Sequence, residues 1–401
     1  MRDVGAMSLR RPWIAVALFF ALVVAAACGG GDDDAGEGGS TSTSETSASL
    51  ELVTFNAGLA RGFVDLAEVR VDPVAEAIAG LEADVVALQE VWEPEDVDRI
   101  RSAAEAAGFT EALFLDPAPE TSGEPACHDD ELAGTEACVR ASCAGVPDDQ
   151  LADCVLSSCG AEFGGLCETC QTCLGANVGQ PLDTVLQTCQ SGAATYAYEG
   201  SFGIGLLSRL PVLESDHLVL DSSLNRRAVL HAVVDAGDLG EVHVFATHLS
   251  AVFADIPYPG EGTWADEQAT QIRRLLELVD ERVGEGEPVV ILGDLNTGPA
   301  TTTLAGEVPE NFQLLLDAGF EAPYLDGDEP PCTFCADNPL VGGADDDASV
   351  AIDHILVRDL PGDAQAERIL DAEVTVEGAE GPTATRLSDH YGVATTIRAP
   401  L

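Results

Sequence analysis

Seven short pieces carry the side chains able to do chemistry: Phe55-Asn56, Leu88-Gln89-Glu90-Val91, Gly205-Leu206-Leu207-Ser208-Arg209, Thr247-His248-Leu249, Gly293-Asp294-Leu295-Asn296, Ile352-Asp353-His354 and Ser388-Asp389-His390. Carboxylates and amide oxygens are the donors that a hard divalent cation takes. Histidine is the side chain that moves protons near neutral pH. Each residue alone has an ordinary structural reading: Asn56 and Asn296 suit turn caps, and Asp294 suits the start of an Asx-turn. His354 has nothing to set against such a reading and stays outside the candidate set. His217, His231 and His243 fall in no motif and are treated as ordinary. The run Asp345-Asp346-Asp347 invites a calcium assignment but reads as a solvated loop.

The runs that must position these pieces read as an α/β chain. Leu50 to Phe55 is a strand ending at Asn56, and Asp84 to Gln89 is a buried strand ending at Glu90. Val74 to Leu81 between them is a short amphipathic helix. A second helix runs from Asp96 to Ala107 and stops at Gly108. Strands follow at Gly203 to Ser208, Arg227 to Val234 and Glu241 to Thr247, with a Gly237-Asp238 turn before the last, which delivers His248. Trp264 to Val283 has helical periodicity, with Ile272, Leu275, Leu276 and Val279 on one face. Pro288 opens the strand Val289 to Leu292, which delivers Asp294; Val350 to Val357 and Gly392 to Ile397 complete the set. Polar residues gather where apolar strands end, the place where active sites form on layered sheets.

In that order and spacing the pieces resemble the endonuclease/exonuclease/phosphatase superfamily of metal-dependent phosphohydrolases. The resemblance covers residues 51 to 398, except a cysteine-rich stretch of 118 to 195. A single Gly-Asp-x-Asn or Ser-Asp-His occurs by chance in many chains; five or more pieces in family order do not. The resemblance implies a four-layer α/β sandwich, two packed β-sheets flanked by helices. Phosphoester hydrolysis needs an activated water, neutralised phosphoryl oxygens and relief for the leaving oxygen, and a hard cation does the second job. The implied cofactor is Mg2+, with Mn2+ or Ca2+ as alternatives. Glu90 matches the principal metal carboxylate, with Asn56 beside it and Asp389 as a second acid near the metal. Asp294 and Asn296 match the pair that positions or deprotonates the attacking water and holds a phosphoryl oxygen. His248 matches the histidine that stabilises the transition state or protonates the leaving group, and His390 the phosphate-side histidine. Asp353 matches the carboxylate that fixes the tautomer of that histidine. The family often has an aromatic residue after this aspartate, where the chain has His354.

Charge narrows the substrate. The 401 residues hold 70 acidic side chains against 18 basic ones, all of them arginine, for a formal net charge of −52. The absence of lysine excludes a P-loop phosphate site, a lysine Schiff base and a kinase-type site. So acidic a surface is a poor partner for a long polyanion. The Thr-His-Leu, Gly-Asp-Leu-Asn and Ser-Asp-His-Tyr pieces are similar to those of bacterial sphingomyelinases and of secreted nucleases. The charge favours a small phosphomonoester or phosphodiester, or a lipid headgroup as in a phospholipase C or sphingomyelinase-like activity. A secreted nuclease is the alternative. From another class comes an inactive surface protein that binds through its cysteine-rich insertion, although every motif position keeps a competent residue type.

Arg2, Arg10 and Arg11 precede an apolar run of 15 residues, Trp13 to Ala27. That is short for a membrane span of about 20 residues and suits a signal-peptide core. Ala25-Ala26-Ala27-Cys28 resembles a bacterial lipoprotein cleavage site, with Ala25 where leucine is usual. The expected organisation is a signal peptide at 1–27, a lipidated Cys28 opening a Gly/Ser/Asp-rich tether at 28–50, and a catalytic domain at 51–398 interrupted by 118–195. A monomer anchored to the cell envelope and facing outside the cytoplasm, or a secreted one, is expected. Nine of the 12 cysteines lie between Cys127 and Cys189, where Cys138-x4-Cys143 recurs as Cys154-x4-Cys159. A zinc knot built on Cys167, Cys170 and Cys173 is one reading; an exported chain favours a disulfide-stapled insertion. Cys332 and Cys335 are spaced to close a small loop of their own.

Overall fold

Alternation within each strand decides the layers. In β1 (Ser49–Asn56), Leu50 and Leu52 point to one side and Val53 and Phe55 to the other, and all four are buried. A strand apolar on both faces needs cover on both. The computed structural model describes residues 49–399, apart from 123, 148–150, 178–179, 195, 254–257, 260, 328, 342–348 and 380. The signal-peptide, Cys28 and tether assignments up to residue 48, and the run Asp345-Asp346-Asp347, lie outside the described residues.

Two mixed sheets pack face to face. The first has the order β12 (Asp363–Ile369), β15 (Gly392–Arg398), β1, β2 (Val85–Gln89), β6 (Gly205–Ser208) and β3 (Glu111–Phe114). The second has the order β11 (Asp353–Arg358), β10 (Val289–Asp294), β9 (Glu241–His248), β8 (Arg227–Asp235) and β7 (Val212–Leu220). Leu52, Val85 and Leu206 of the first meet Leu230, Val244 and Leu292 of the second in one core. On the outer face of the first sheet, Phe55, Val86 and Leu88 pack with α1 (Ala67–Ala79) and α2 (Pro94–Ala106) through Val74, Ile78 and Ile100. On the outer face of the second, Phe245 and Ile291 pack with α7 (Trp264–Arg282) and α8 (Pro309–Asp317) through Ile272, Leu275 and Phe312. The four-layer sandwich expected from the resemblance is therefore observed.

The cysteine-rich stretch leaves and rejoins this frame through a short neck, where β4 (Thr121–Ser122) pairs with β5 (Ala193–Ala194). Between them lie α3 (Asp129–Ser142), α4 (Leu151–Phe163), α5 (Glu168–Ala176) and α6 (Leu182–Ser191). Disulfides staple these helices as Cys138–Cys159, Cys143–Cys154, Cys127–Cys170 and Cys173–Cys189. The two cysteine repeats run antiparallel, so the first cysteine of each meets the second of the other. Cys170 and Cys173 go to different partners and Cys167 is the free, exposed thiol, so no zinc knot forms from the three. Cys332 and Cys335 join as expected. A separate hairpin of β13 (Val374–Gly378) and β14 (Gly381–Thr385) precedes β15.

Two boundaries differ by three residues or more from the sequence reading. The first helix begins at Ala67 rather than Val74, because Ala67, Val71, Val74 and Ile78 form one buried face that carries through Pro73. The strand expected from Val350 begins at Asp353. Val350 instead bridges to Phe334, and Ile352 N donates to Thr333 Oγ1 at 3.0 Å.

Candidate active site

Strand register sets out the site. β9 and β10 run parallel with His248 opposite Asp294, and β10 and β11 run antiparallel with Asp294 opposite Asp353. Three ionisable side chains thus lie abreast at one end of the second sheet. In the first sheet β1 and β2 run parallel with Asn56 opposite Gln89, which brings Asn56 and Glu90 to the same end. Asn56 crosses between the sheets: its Nδ2 donates to Asp294 Oδ2 at 2.9 Å, and its Oδ1 accepts from Gly58 N at 3.0 Å. The turn before β15 supplies Asp389 and His390.

Around Asp294 the contacts are short. His248 Nε2 lies 3.4 Å and His390 Nε2 3.9 Å from the Oδ2 that Asn56 holds. Asn296 N donates to Asp294 Oδ1 at 2.9 Å, while Asn296 Nδ2 donates to Leu249 O at 3.0 Å. His390 Nδ1 donates to Asp353 Oδ2 at 2.9 Å. Glu90 and Asn296 sit in the left-handed region, with φ of 56° and 48°, a conformation that costs free energy and recurs at functional sites. Glu90, His248, Asp294, Asn296, Asp389 and His390 line one cavity, and Asn56 and Asp353 stand behind Asp294 and His390. All eight residues expected in the site are brought together. His354 is not among them: it is buried, with Nε2 on Thr297 O and its ring against Phe312.

Burial and neighbouring charges divide the ionisable groups. Burial alone would lower His390, but Asp353, Asp294 and Asp389 together hold it well above the ordinary histidine range. His248 is driven well below that range by burial, and by the charges of Arg227 and His390. Burial, and then the charge of Asp353, push Asp294 up to about 7. Burial and the charge of Asp389 raise Glu90.

The pocket formed by Glu90, Asp389 and Asn56 has the chemistry of a hard-cation site. Its two carboxylates repel each other, and neither makes an ion pair among the described residues. A Cβ at Gly58, whose φ is 55°, would overlap Asp389 Oδ1, so the backbone itself closes around that carboxylate. This donor set fits Mg2+ or a similar ion. Asp294, Asp353 and His390 also offer atoms within 4.8 Å of one another, but they already engage each other.

Sequence reasoning missed four contributors. Arg227 lines the cavity at 4% exposure, and its Nε and Nη1 find no hydrogen-bond partner among the described residues. Trp92 stacks on Tyr198 at 5.0 Å between ring centroids and stands 6.2 Å from His248. Arg70 ties together the loops that carry Asn56 and Asp389. The loop clipped by Cys332–Cys335 braces the histidine pair: Thr333 Oγ1 accepts from Asp353 N at 3.1 Å, and Phe334 packs 5.0 Å from the His390 ring. Only the last had a signal in the sequence, the Cys-x2-Cys spacing.

No curated protein matches the sequence. Solved structures share the fold at low identity. SmcL is 13% identical with a TM-score of 0.55, covering 87% of this chain and 99% of that one. The beta toxin of Staphylococcus aureus, in a mutant form with bound magnesium ions, is 14% identical with a TM-score of 0.53, covering 88% and 99%. Sphingomyelinase C from Streptomyces griseocarneus is 17% identical with a TM-score of 0.51, covering 87% and 99%. The Endonuclease/Exonuclease/phosphatase family profile matches residues 53–390, a span that begins in β1 and ends on His390. The chain belongs to the endonuclease/exonuclease/phosphatase family.

Proposed function

We propose that the protein is a divalent-metal-dependent hydrolase of phosphate esters that works outside the cytoplasm on a small phosphoester or a lipid headgroup. One observation carries this reading: Asn56, His248 and His390, from three separate segments, meet Asp294 Oδ2 at 2.9, 3.4 and 3.9 Å. A structural core has no need for such a meeting of acid, amide and imidazole. Glu90, Asn56 and Asp389 would hold Mg2+, or Mn2+ or Ca2+ in its place, and the magnesium bound by the beta toxin supports this. When bound, the ion neutralises charge on the phosphoryl oxygens.

The other roles belong to the chain. Asp294, with its carboxylate aimed by Asn56 and by the amide of Asn296, orients the attacking water and takes its proton. His390, held by Asp353, donates to a phosphoryl oxygen, and His248 stabilises the transition state or protonates the leaving oxygen. The net charge of −52 argues against a nuclease, which must hold several phosphates at once. Five disulfides support an oxidising compartment. With them goes a lipoprotein organisation: a signal peptide at 1–27, lipid on Cys28, a tether to residue 50, and a monomeric catalytic domain at 51–398 carrying 118–195 as its insertion.

The test is a panel of sphingomyelin, inositol phosphates, a chromogenic diester, DNA and RNA, assayed after chelation and after return of Mg2+, Mn2+ or Ca2+. Metal-restored turnover of a small ester or headgroup is expected. Preference for DNA or RNA would move the nuclease reading ahead, and no turnover at all would leave the binding-protein reading. Fractionation of cells expressing Cys28→Ala tests the anchor; an unchanged membrane fraction would refute it.

A further inference from the structure

The cysteine-rich insertion roofs the catalytic cleft. The cavity that ends on Glu90, His248 and Asp294 has a volume of about 330 Å3, and much of its wall comes from the insertion. Leu156 of α4, Leu174 of α5 and Leu182 of α6 line it half-buried, backed by Leu132 and Val139 of α3 and Leu186 of α6, which belong to the insertion's own cores. Across from them stand Phe63, Phe253 and Trp264 of the catalytic frame. Phe63 is 55% exposed, a large apolar side chain left open on the cavity wall.

The roof is held in place. Four disulfides tie its helices to each other. At its base Ala197 N donates to Leu224 O at 2.7 Å, and Tyr198 Oη donates to Arg61 O at 3.0 Å. α5 lies so close to the loop after β7 that a Cβ on Gly175 would come within 2.7 Å of Leu224 Cδ2. An apolar wall fixed over a polar site is a binding surface, since apolar side chains facing open space gain nothing from folding that way. Arg227 lines the same cavity, its guanidinium 5.8 Å from the Trp92 ring centroid and its Nε and Nη1 without a hydrogen-bond partner among the described residues. A nucleic acid does not fit here. The insertion carries twelve acidic residues from Glu120 to Asp183 against the single Arg140.

We infer that the insertion is a specificity chamber for the apolar tail of an amphiphilic phosphoester, whose phosphate lies between Arg227 and the catalytic residues. The inference rests on the phosphoester reading above and adds the substrate class. The tail belongs to the substrate itself, because the chamber is continuous with the catalytic residues.

The experiment is calorimetric binding of ethyl-, hexyl- and dodecylphosphonate to the full protein with Mg2+, each below its micelle concentration. Affinity should rise about three- to fourfold per added methylene until the chamber fills. Leu156→Asp and Leu174→Asp should collapse the ratio of dodecyl to ethyl affinity. Thr172→Trp, which narrows the same wall, should make the gain stop at a shorter chain. Should the variants fail to fold, the wild-type series alone decides the matter. An affinity in the wild type that is independent of chain length overturns the chamber, as does an amphipathic peptide that fills the cavity while alkylphosphonates do not. Chain-length dependence without hydrolysis of any ester leaves the chamber standing and removes the hydrolase reading. Hydrolysis with a flat binding series removes the chamber alone.

Discussion

Arg70 Nη1 donates to the carbonyl of Leu387 at 2.7 Å, across 317 positions of the chain. The same guanidinium reaches Ala57 O at 3.2 Å, Gly58 O, and Asp65 O at 3.1 Å. One buried cation therefore clamps the loop after Asn56 to the turn that carries Asp389 and His390. Burial lowers its pKa, and the charges of Asp389 and Glu90 work to keep it charged. Arg70→Met leaves these carbonyls without a donor and should cost about 3 kcal/mol or more. Since it frees Asn56 and Asp389 to drift apart, it should also weaken Mg2+ binding. Melting curves with and without Mg2+ check both effects; an undiminished metal-dependent rise in Tm would refute the second.

The two site histidines should separate chemistry from stability. His248→Ala and His390→Ala each remove a donor from the reacting centre, where such losses cost about 10²–10³ in kcat. His248 belongs to no apolar core cluster and its melt should change little, whereas His390→Ala strands the buried Asp353 carboxylate and should also lower the Tm. Glu90→Ala removes a proposed ligand, and its rate should recover in part at high Mg2+. Single-substitution kinetics on the ester found by the panel, run as a metal titration, decide between these patterns. Near wild-type rates in both histidine variants would mean that the roles are wrongly assigned.

Much of the frame was legible because its buried strands are apolar runs that end on polar pieces. Val289 to Leu292 announces β10, and the glycine-aspartate after it announces the site. Other elements carry weak signals. β7 is an edge strand with most of its residues open to solvent, including Leu213 at 48% exposure, so no apolar run marks it. β12 packs through the small side chains of Ala364 and Ala366. The eight site residues could be collected from the motif order, but not their supports. Arg227 is one charged residue at the start of a strand, and only the tertiary packing turns it toward the cleft. The lid-like placement of the insertion is likewise a matter of contacts such as Gly175 on Leu224, which no local pattern encodes.

The insertion should depend on its disulfides more than the sandwich does. Its bridges close loops of 11 to 43 residues around two small apolar clusters, and each contributes about 2–4 kcal/mol. The sandwich has three larger cores and only the short Cys332–Cys335 bridge. Reduction should therefore expose α3 to α6 to hydrogen exchange well before β1 or β10. Peptide mapping without reduction should find Cys167 alkylated and the ten cysteines of the five bridges protected. Exchange that rises together in α4 and β10 on reduction would show that the two regions unfold as one.

The last expectation concerns acid stability and turns on His354. Its ring is wholly buried against Phe312, with Nε2 on Thr297 O at 3.1 Å. Burial holds the imidazole down at about 4, although Asp353 beside it works the other way. The unfolded chain takes up this proton near pH 6.5. The folded chain refuses it until about pH 4. Stability from the neutral ring is therefore full above pH 6.5, drains as the pH falls, and is gone at about pH 4, with an upper bound of about 3 kcal/mol. His354→Gln keeps a donor for Thr297 O but has no proton to gain. It should be less stable than wild type at pH 7.5, and the gap should narrow toward pH 4.5. Urea unfolding of both proteins at matched pH values makes the comparison, because the titration of every other carboxylate is common to the pair. Parallel stability curves from pH 7.5 to 4.5 would show that the buried ring does not set the acid limit.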